Sequence, residues 1–418
     1  MPAPAAPPSG TGETVVSAAE CGPIGLVVIQ PTPFCNLDCD YCYLPDRNNR
    51  SRLPISLVEP ILKAVLTSPF VGTDITILWH AGEPLAVPLH FYDQATAALR
   101  QAEARHKRHP ITISQSIQTN GTLIDQAWCE CFQRNGIQVG VSLDGPAFLH
   151  DAHRRTRTGL GTHAATMRGI AHLQRHNIPF HVIAVLTRES LDHADAIVAF
   201  FLENGITEVG FNMEETEGAN HSSSLDGAES EARYQAFLER VWELTEASQG
   251  AFRLREFETT CALAVADARL ERTDMNRPFV ILNVDHGGNF STFDPELLAV
   301  KTAEYGDFVL GNIHTDSLES VCETEKFQRI HKDMVAGIER CRQSCDYFGL
   351  CGGGAGSNKY WERGTFDCAE TQACRYRIKL VADVVLAGLE ATLGLTPEPN
   401  NPAPPAMLAP QSADGSRT

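Results

Sequence analysis

No run of eighteen apolar residues occurs anywhere in the 418-residue sequence, so it contains no stretch that reads as a membrane-spanning helix. The N-terminus, "MPAPAAPPSGTGETVVSAAE", lacks both the basic start and the apolar core of a secretory signal, and the expectation is a cytoplasmic protein. Basic residues are scarce relative to acidic ones, 34 against 52, for a formal charge of -18. That balance argues against nucleic acid as the main partner, because phosphate binding needs a basic face, although it leaves room for a local basic patch. Thirteen cysteines in a chain with no export signal read as reduced thiols or metal ligands rather than a disulfide framework. Both ends have little to bury. Residues 1–20 and 396–418 are rich in Pro, Ala and Ser and are expected to be disordered.

Between the tails lies a rhythm of short apolar runs, each followed by a helix-like stretch. The runs are "IGLVVIQ" (24–30), "ITILWHAGEP" (75–84), "ITISQSIQTNGT" (111–122), "IQVGVSLDGP" (137–146), "FHVIAVLTRES" (180–190) and "ITEVGFNMEE" (206–215). Six strand-then-helix units predict an α/β fold with a parallel sheet, an incomplete (β/α)6 barrel of the TIM type over 21–220. The chemically distinctive residues fall at the carboxyl ends of these strands, the face on which such barrels carry their sites. Residues 221–275 read as a helical linker. From 276 to 385 the pattern changes to a predicted hairpin, "FVILNVDHGGNFSTFD", and a cysteine-dense stretch, which we read as a separate C-terminal iron-sulfur module.

"PFCNLDCDYCYL" (33–44) places Cys35, Cys39 and Cys42 in CxxxCxxC spacing, and no further Cys or His follows until His80. Three thiolates on one loop suit a cubic iron-sulfur cluster with one iron left open for a ligand. A structural zinc site completed by a distant histidine is the other reading of the same spacing.

With Tyr41 before the last cysteine, the loop resembles the signature of radical S-adenosylmethionine (SAM) enzymes. In that family the open iron of a 4Fe-4S cluster binds SAM, and one electron cleaves it to a 5′-deoxyadenosyl radical that takes hydrogen from the substrate. The resemblance extends to "HAGEP", where Gly82 and Glu83 would lie along the SAM amino group and Ala81 replaces a family glycine. It extends also to "QTNGT" with Asn120, and to "SLDGP" and "HDAHR", where Ser142 and Arg154 would hold SAM's carboxylate or ribose. Leu186 in "AVLT" would pack against adenine.

"CRQSCDYFGLCGGGAGSNKYWERGTFDCAETQACR" (341–375) resembles the SPASM extension of radical SAM peptide maturases, which commonly holds two auxiliary clusters. The resemblance implies one auxiliary 4Fe-4S cluster on Cys341, Cys345, Cys351 and either Cys374 or Cys368, with Cys374 fitting the family spacing better. Phe293, Asp294 and Ala355 stand where cysteines of a second cluster would be expected. A zinc knot is the alternative on ligand type alone. Cys21, Cys129, Cys131, Cys261 and Cys322 read as inert thiols.

Across residues 22–380 the chain is similar to the GrrM/OscB-type cyclophane-forming maturases. That likeness implies a ribosomally made precursor peptide, often glycine-rich, as partner, and a flavodoxin or ferredoxin-type electron donor. It also implies a bond between an aromatic ring carbon and a nearby β-carbon. Glu214, Glu215 and Asp144 are candidate proton acceptors or ligands of the peptide backbone. Maturases that oxidise a Ser or Cys side chain, or form a thioether, share several of these motifs but usually keep both auxiliary clusters. An iron-sulfur scaffold or electron carrier is the non-enzyme alternative.

Overall fold

The computed structural model describes residues 20–297 and 300–395. The tails expected to be disordered lie outside the described residues, apart from Glu20. All six predicted runs are strands: β1 (Ile24–Ile29), β2 (Val71–Trp79), β3 (Thr112–Thr119), β4 (Ile137–Ser142), β5 (Phe180–Leu186) and β6 (Glu208–Met213). Each pairs in parallel with its successor in sequence order. The intervening helices are α1 (Val58–Thr67), α2 (Leu89–His106), α3 (Gln126–Asn135), α4 (Ala147–His153), α5 (His163–Arg175) and α6 (Ala194–Glu203).

The helices form where one apolar stripe can be buried on the sheet. In α1, Val58, Ile61, Leu62 and Val65 recur at helical spacing and are buried. Each such side chain contributes roughly 1.5–3 kcal/mol on leaving water. In α3, the Asp125 carboxylate accepts from the Trp128 backbone N–H at 2.9 Å, and Gly136 closes the helix at φ 65°. Cys129 and Cys131 lie on the buried face of this helix with no exposure, as small apolar residues do.

The parallel array continues past the predicted six. After α7 (Ala228–Ala247), the two-residue strand β7 (Arg253–Leu254) adds in parallel to β6 and leads into α8 (Arg255–Val265). At the opposite edge the predicted hairpin forms from β8 (Ile281–Val284) and β9 (Asn289–Thr292). It is not set apart from the barrel: β8 pairs in parallel with β1, so one ten-stranded sheet runs from β7 to the short strand Gly311–Asn312 beyond β9. A long amphipathic helix, α9 (Glu325–Ser344), follows and carries Cys341 in its last turn. Among the described residues no helix is long and apolar enough to cross a membrane.

Candidate active site

The cysteine loop follows β1 and is pinned from several sides. Arg157 donates to the Cys35 carbonyl at 2.7 and 3.0 Å, and Arg47 donates to the Cys39 carbonyl at 3.0 Å. The Cys35 sulfur accepts from the Leu37 N–H at 3.4 Å, with the Asn120 amide nitrogen 3.9 Å away. That Asn120 nitrogen also donates to Asn36 at 2.8 Å, which fixes the end of β3 against the loop.

Tyr41, on the loop, and the buried Asp144 and Arg154 behind it form one hydrogen-bonded unit. The Tyr41 hydroxyl donates to Asp144 at 2.5 Å, and Arg154 donates two hydrogen bonds to the same carboxylate at 2.9 and 3.0 Å. The Val185 N–H adds a fourth, at 2.9 Å. Burial alone would raise the Asp144 pKa, but the Arg154 guanidinium and the hydrogen bonds hold it below the usual carboxylate range. Asp144 is therefore an anchored carboxylate that fixes the loop, a geometry that leaves it little freedom as a proton acceptor. Two nitrogens of Arg154 are engaged there as well.

At "HAGEP" the backbone turns through the left-handed region at Ala81 (φ 66°) and Gly82 (φ 78°). A β-carbon at 82 would stand 2.2 Å from the Thr32 carbonyl oxygen, so only glycine allows this close approach to the cysteine loop. Ala81 tolerates its conformation at a cost of about 1–2 kcal/mol. The Glu83 side chain turns inward. Its side chain is 1% exposed and accepts from Thr119 Oγ1 at 2.7 Å, Leu85 N at 2.9 Å and Asn120 N at 2.9 Å. The carboxylate ties β2 to β3 from inside rather than lining an open cleft. Ser142, at the end of β4, accepts from Gln118 at 3.0 Å, and Leu186 closes β5 fully buried.

Of the acidic pair after β6, Glu214 accepts from the Ser224 N–H at 2.7 Å and Glu215 is paired with Arg377 at 2.9 Å. The deeper carboxyls are ones the sequence reading passed over for this role. Glu217 accepts from Ser357 Oγ at 2.7 Å and Asn358 Nδ2 at 2.6 Å, both from the C-terminal region. Asp294 accepts from the Ser357 N–H at 2.7 Å on one oxygen, while its buried Oδ1 has no partner. Burial first, and mutual repulsion with nearby carboxylates, push the Glu217 pKa up; Glu296 rises by the same causes to about 8. Burial raises Asp294 to about 7. Tyr43 feels Glu296, Cys42 and Glu217 together, which places this acidic group beside the cysteine loop. The sequence signal for Glu217 is the third acid of "EETEG", two residues beyond the pair.

In the C-terminal region the Cys374, Cys341 and Cys345 thiols all bear on Cys351, which burial above all pushes up to about 11, against a hydrogen bond from the Gly353 backbone. Cys368 lies beside Cys341, Lys359 and Arg363. Phe293, at φ 72°, is buried and stacked on Phe327, and Ala355 is 8% exposed.

Residues 29–201 match the model of the radical SAM superfamily. An uncharacterized protein of Synechocystis is 57% identical over 380 residues, covering 91% of this chain and 96% of that protein. The chain belongs to the radical SAM superfamily. The serine-type anaerobic sulfatase-maturating enzyme of Klebsiella aerogenes is 34% identical over 213 residues, half of this chain and 52% of that enzyme. Among solved structures, anSMEcpe with bound AdoMet and Cp18Cys peptide is similar in fold, with a TM-score of 0.71 at 21% identity over 88% of this chain and 98% of that one.

Radical SAM enzymes use a 4Fe-4S cluster and SAM, and the cysteine loop fits such a cluster. Burial, with Glu83 nearby, pushes the Cys35 thiol up to about 12, and burial pushes Cys39 up to about 11. Thiolates are costly at these positions until iron supplies positive charge. Among the described residues no three His, Cys, Asp or Glu side chains close around a point as they would about one ion. A four-iron cluster is gripped at separate iron corners, so its thiols stand apart. Cys35, Cys39 and Cys42 are the residues of this radical SAM protein that would hold it.

Proposed function

We propose that this radical SAM enzyme modifies a ribosomally made precursor peptide, joining an aromatic ring carbon to the β-carbon of a residue two positions later. When bound, the cluster and SAM supply the radical chemistry needed to remove hydrogen from an unactivated carbon. The chain's own residues position the peptide at the barrel mouth and exclude water from it. Forming the ring-to-carbon bond removes two hydrogens in all: the first goes to the 5′-deoxyadenosyl radical, and the second leaves as a proton and as an electron that the auxiliary cluster would accept. Asp294, which titrates near neutrality and has a free Oδ1, suits the role of proton acceptor, with Glu217 and Glu296 beside it. Glu214, Glu215 and Asp144 each already accept hydrogen bonds or an ion pair, which weakens their claim.

The observation that supports this reading is the lack of thiols where the ligands of a second auxiliary cluster would be expected. Phe293 is packed on Phe327, Asp294 is bonded to Ser357 and Ala355 is buried, so these three positions offer no thiol. Maturases that oxidise Ser or Cys usually ligate both auxiliary clusters. Oxidation of a Ser or Cys side chain is the second reading, favoured by the 34% identity to the serine-type sulfatase-maturating enzyme.

Co-expression with a candidate precursor peptide that carries aromatic residues near its end separates the two. The cyclophane reading expects the peptide mass to fall by about two daltons per crosslink, because one C–H bond on each side is replaced by one C–C bond. Deuterium placed on the β-carbon should appear in 5′-deoxyadenosine, and fragmentation should map the loss to an aromatic residue and its partner. Deuterium retained at that carbon, or a loss confined to a Cys or Ser, would overturn the cyclophane reading and leave radical SAM chemistry standing.

A further inference from the structure

Lys359 is only 4% exposed, an uncommon state for a lysine. It lies on the helix Gly356–Arg363, and its Nζ is 3.3 Å from the Cys341 sulfur. Among the described residues this is the one hydrogen bond of its ammonium, and no carboxylate forms an ion pair with it. The nearby Asp367 is taken by Arg340 through two contacts. Space for the ammonium is provided by Gly337 on α9: a β-carbon there would stand 3.1 Å from Nζ and 2.0 Å from the Phe366 carbonyl oxygen.

A buried ammonium facing a neutral thiol is uncompensated and expensive. The same ammonium facing a thiolate is paired. A 4Fe-4S cluster held by four thiolates carries net negative charge, and reduction adds one more. A fixed positive charge with an N–H directed at a ligand sulfur therefore stabilises the reduced form more than the oxidised one, which raises the reduction potential. Lys379 also bears on Cys345 and Cys374, but it is partly exposed and already paired with Glu370 at 3.0 Å.

We propose that Lys359 is the buried counter-charge of the auxiliary cluster, a positioning residue whose ammonium donates to the Cys341 sulfur and raises that cluster's reduction potential. The proposal rests on Cys341 being a ligand of that cluster. The test uses the full chain with Cys35, Cys39 and Cys42 replaced by Ala, so that the auxiliary cluster alone contributes to the spectrum. Iron content is measured first. A reconstituted protein without iron would overturn the auxiliary-cluster reading itself, and Lys359 with it.

With the cluster present, redox titration followed by electron paramagnetic resonance should give a lower midpoint for Lys359→Met than for the parent, and Lys359→Arg should recover most of the difference. An independent measurement needs no destabilising variant. In protein labelled with nitrogen-15 lysine, the reduced cluster should show a nitrogen-15 coupling that disappears in the folded, charge-retaining Lys359→Arg variant. An unchanged midpoint in Lys359→Met at equal iron content, or no lysine coupling in the parent, would overturn the proposal.

Discussion

Replacing Glu83 distinguishes a carboxylate that meets SAM from one that braces two strands. Glu83→Ala strands two buried backbone donors, Leu85 N and Asn120 N, while the Thr119 hydroxyl can rotate to another acceptor. At about 1–3 kcal/mol for each unpaired donor, the loss is roughly 2–6 kcal/mol. The lower half of that range is expected, because burial raises the Glu83 pKa and removing a desolvated carboxylate returns some of the cost. For 418 residues the unfolding entropy is about 0.9 kcal/mol per kelvin, so a loss in that lower half should bring the melting midpoint down by about 2–5 °C. Glu83→Gln should be no gentler. Thr119 and Leu85 share one carboxylate oxygen and Asn120 N uses the other, so an amide must turn its NH2 toward at least one donor. Anaerobic thermal melts of the reconstituted protein, with and without SAM, provide the assay. The midpoint should drop in both states, and SAM binding should weaken as Asn120 shifts from Cys35. An unchanged midpoint with lost SAM affinity would refute the brace and put the carboxylate on the cofactor.

Anaerobic reconstitution should load about eight irons per chain, two cubic clusters, and the Cys35, Cys39 and Cys42 to Ala variant should retain about half; twelve in the intact protein would mean that Asp294, or one of the cysteines read as inert, completes a third cluster. Asp294→Asn should alter the pH dependence of stability. Its folded pKa, raised to about 7, lies above the unfolded value near 4, so the native carboxyl favours its proton and the wild type loses stability as pH rises through that window. Denaturant midpoints of wild type and Asp294→Asn should diverge between about pH 4 and 7 in favour of the variant and level off above, by at most about 4 kcal/mol for a three-unit shift; a pH-independent difference would count against a buried, protonated Asp294.

The six main strands were legible because parallel strands covered on both faces read as apolar runs. Arg253–Leu254 was not, since two residues carry no period. The hairpin at 281–292 was foreseen as local structure, but its pairing with β1 joins segments far apart in sequence, which no local pattern records. The cysteine loop was legible because ligand spacing is itself the chemical constraint. Motif order could not say which way Glu83 faces, since that follows from two consecutive positive φ values before it. Glu217 was missed for a similar reason. Its depth is conferred by Ser357 and Asn358, which approach only once the C-terminal region folds over the barrel.

The position of β1 constrains the order in which this protein can be made. Ile24–Ile29 emerges from the ribosome first and finds Val71–Trp79 soon after, but its other edge has to wait for Ile281–Val284. Through most of synthesis the nascent barrel therefore presents an unpaired, strongly apolar strand edge, the kind of surface that recruits foreign strands. Iron loading adds urgency, because the cysteine loop grows directly out of that same strand. A chaperone that guards the edge until β8 is translated, or slow translation beyond residue 213 with no such guard, should change the yield of intact protein far more than the same treatment applied before β2.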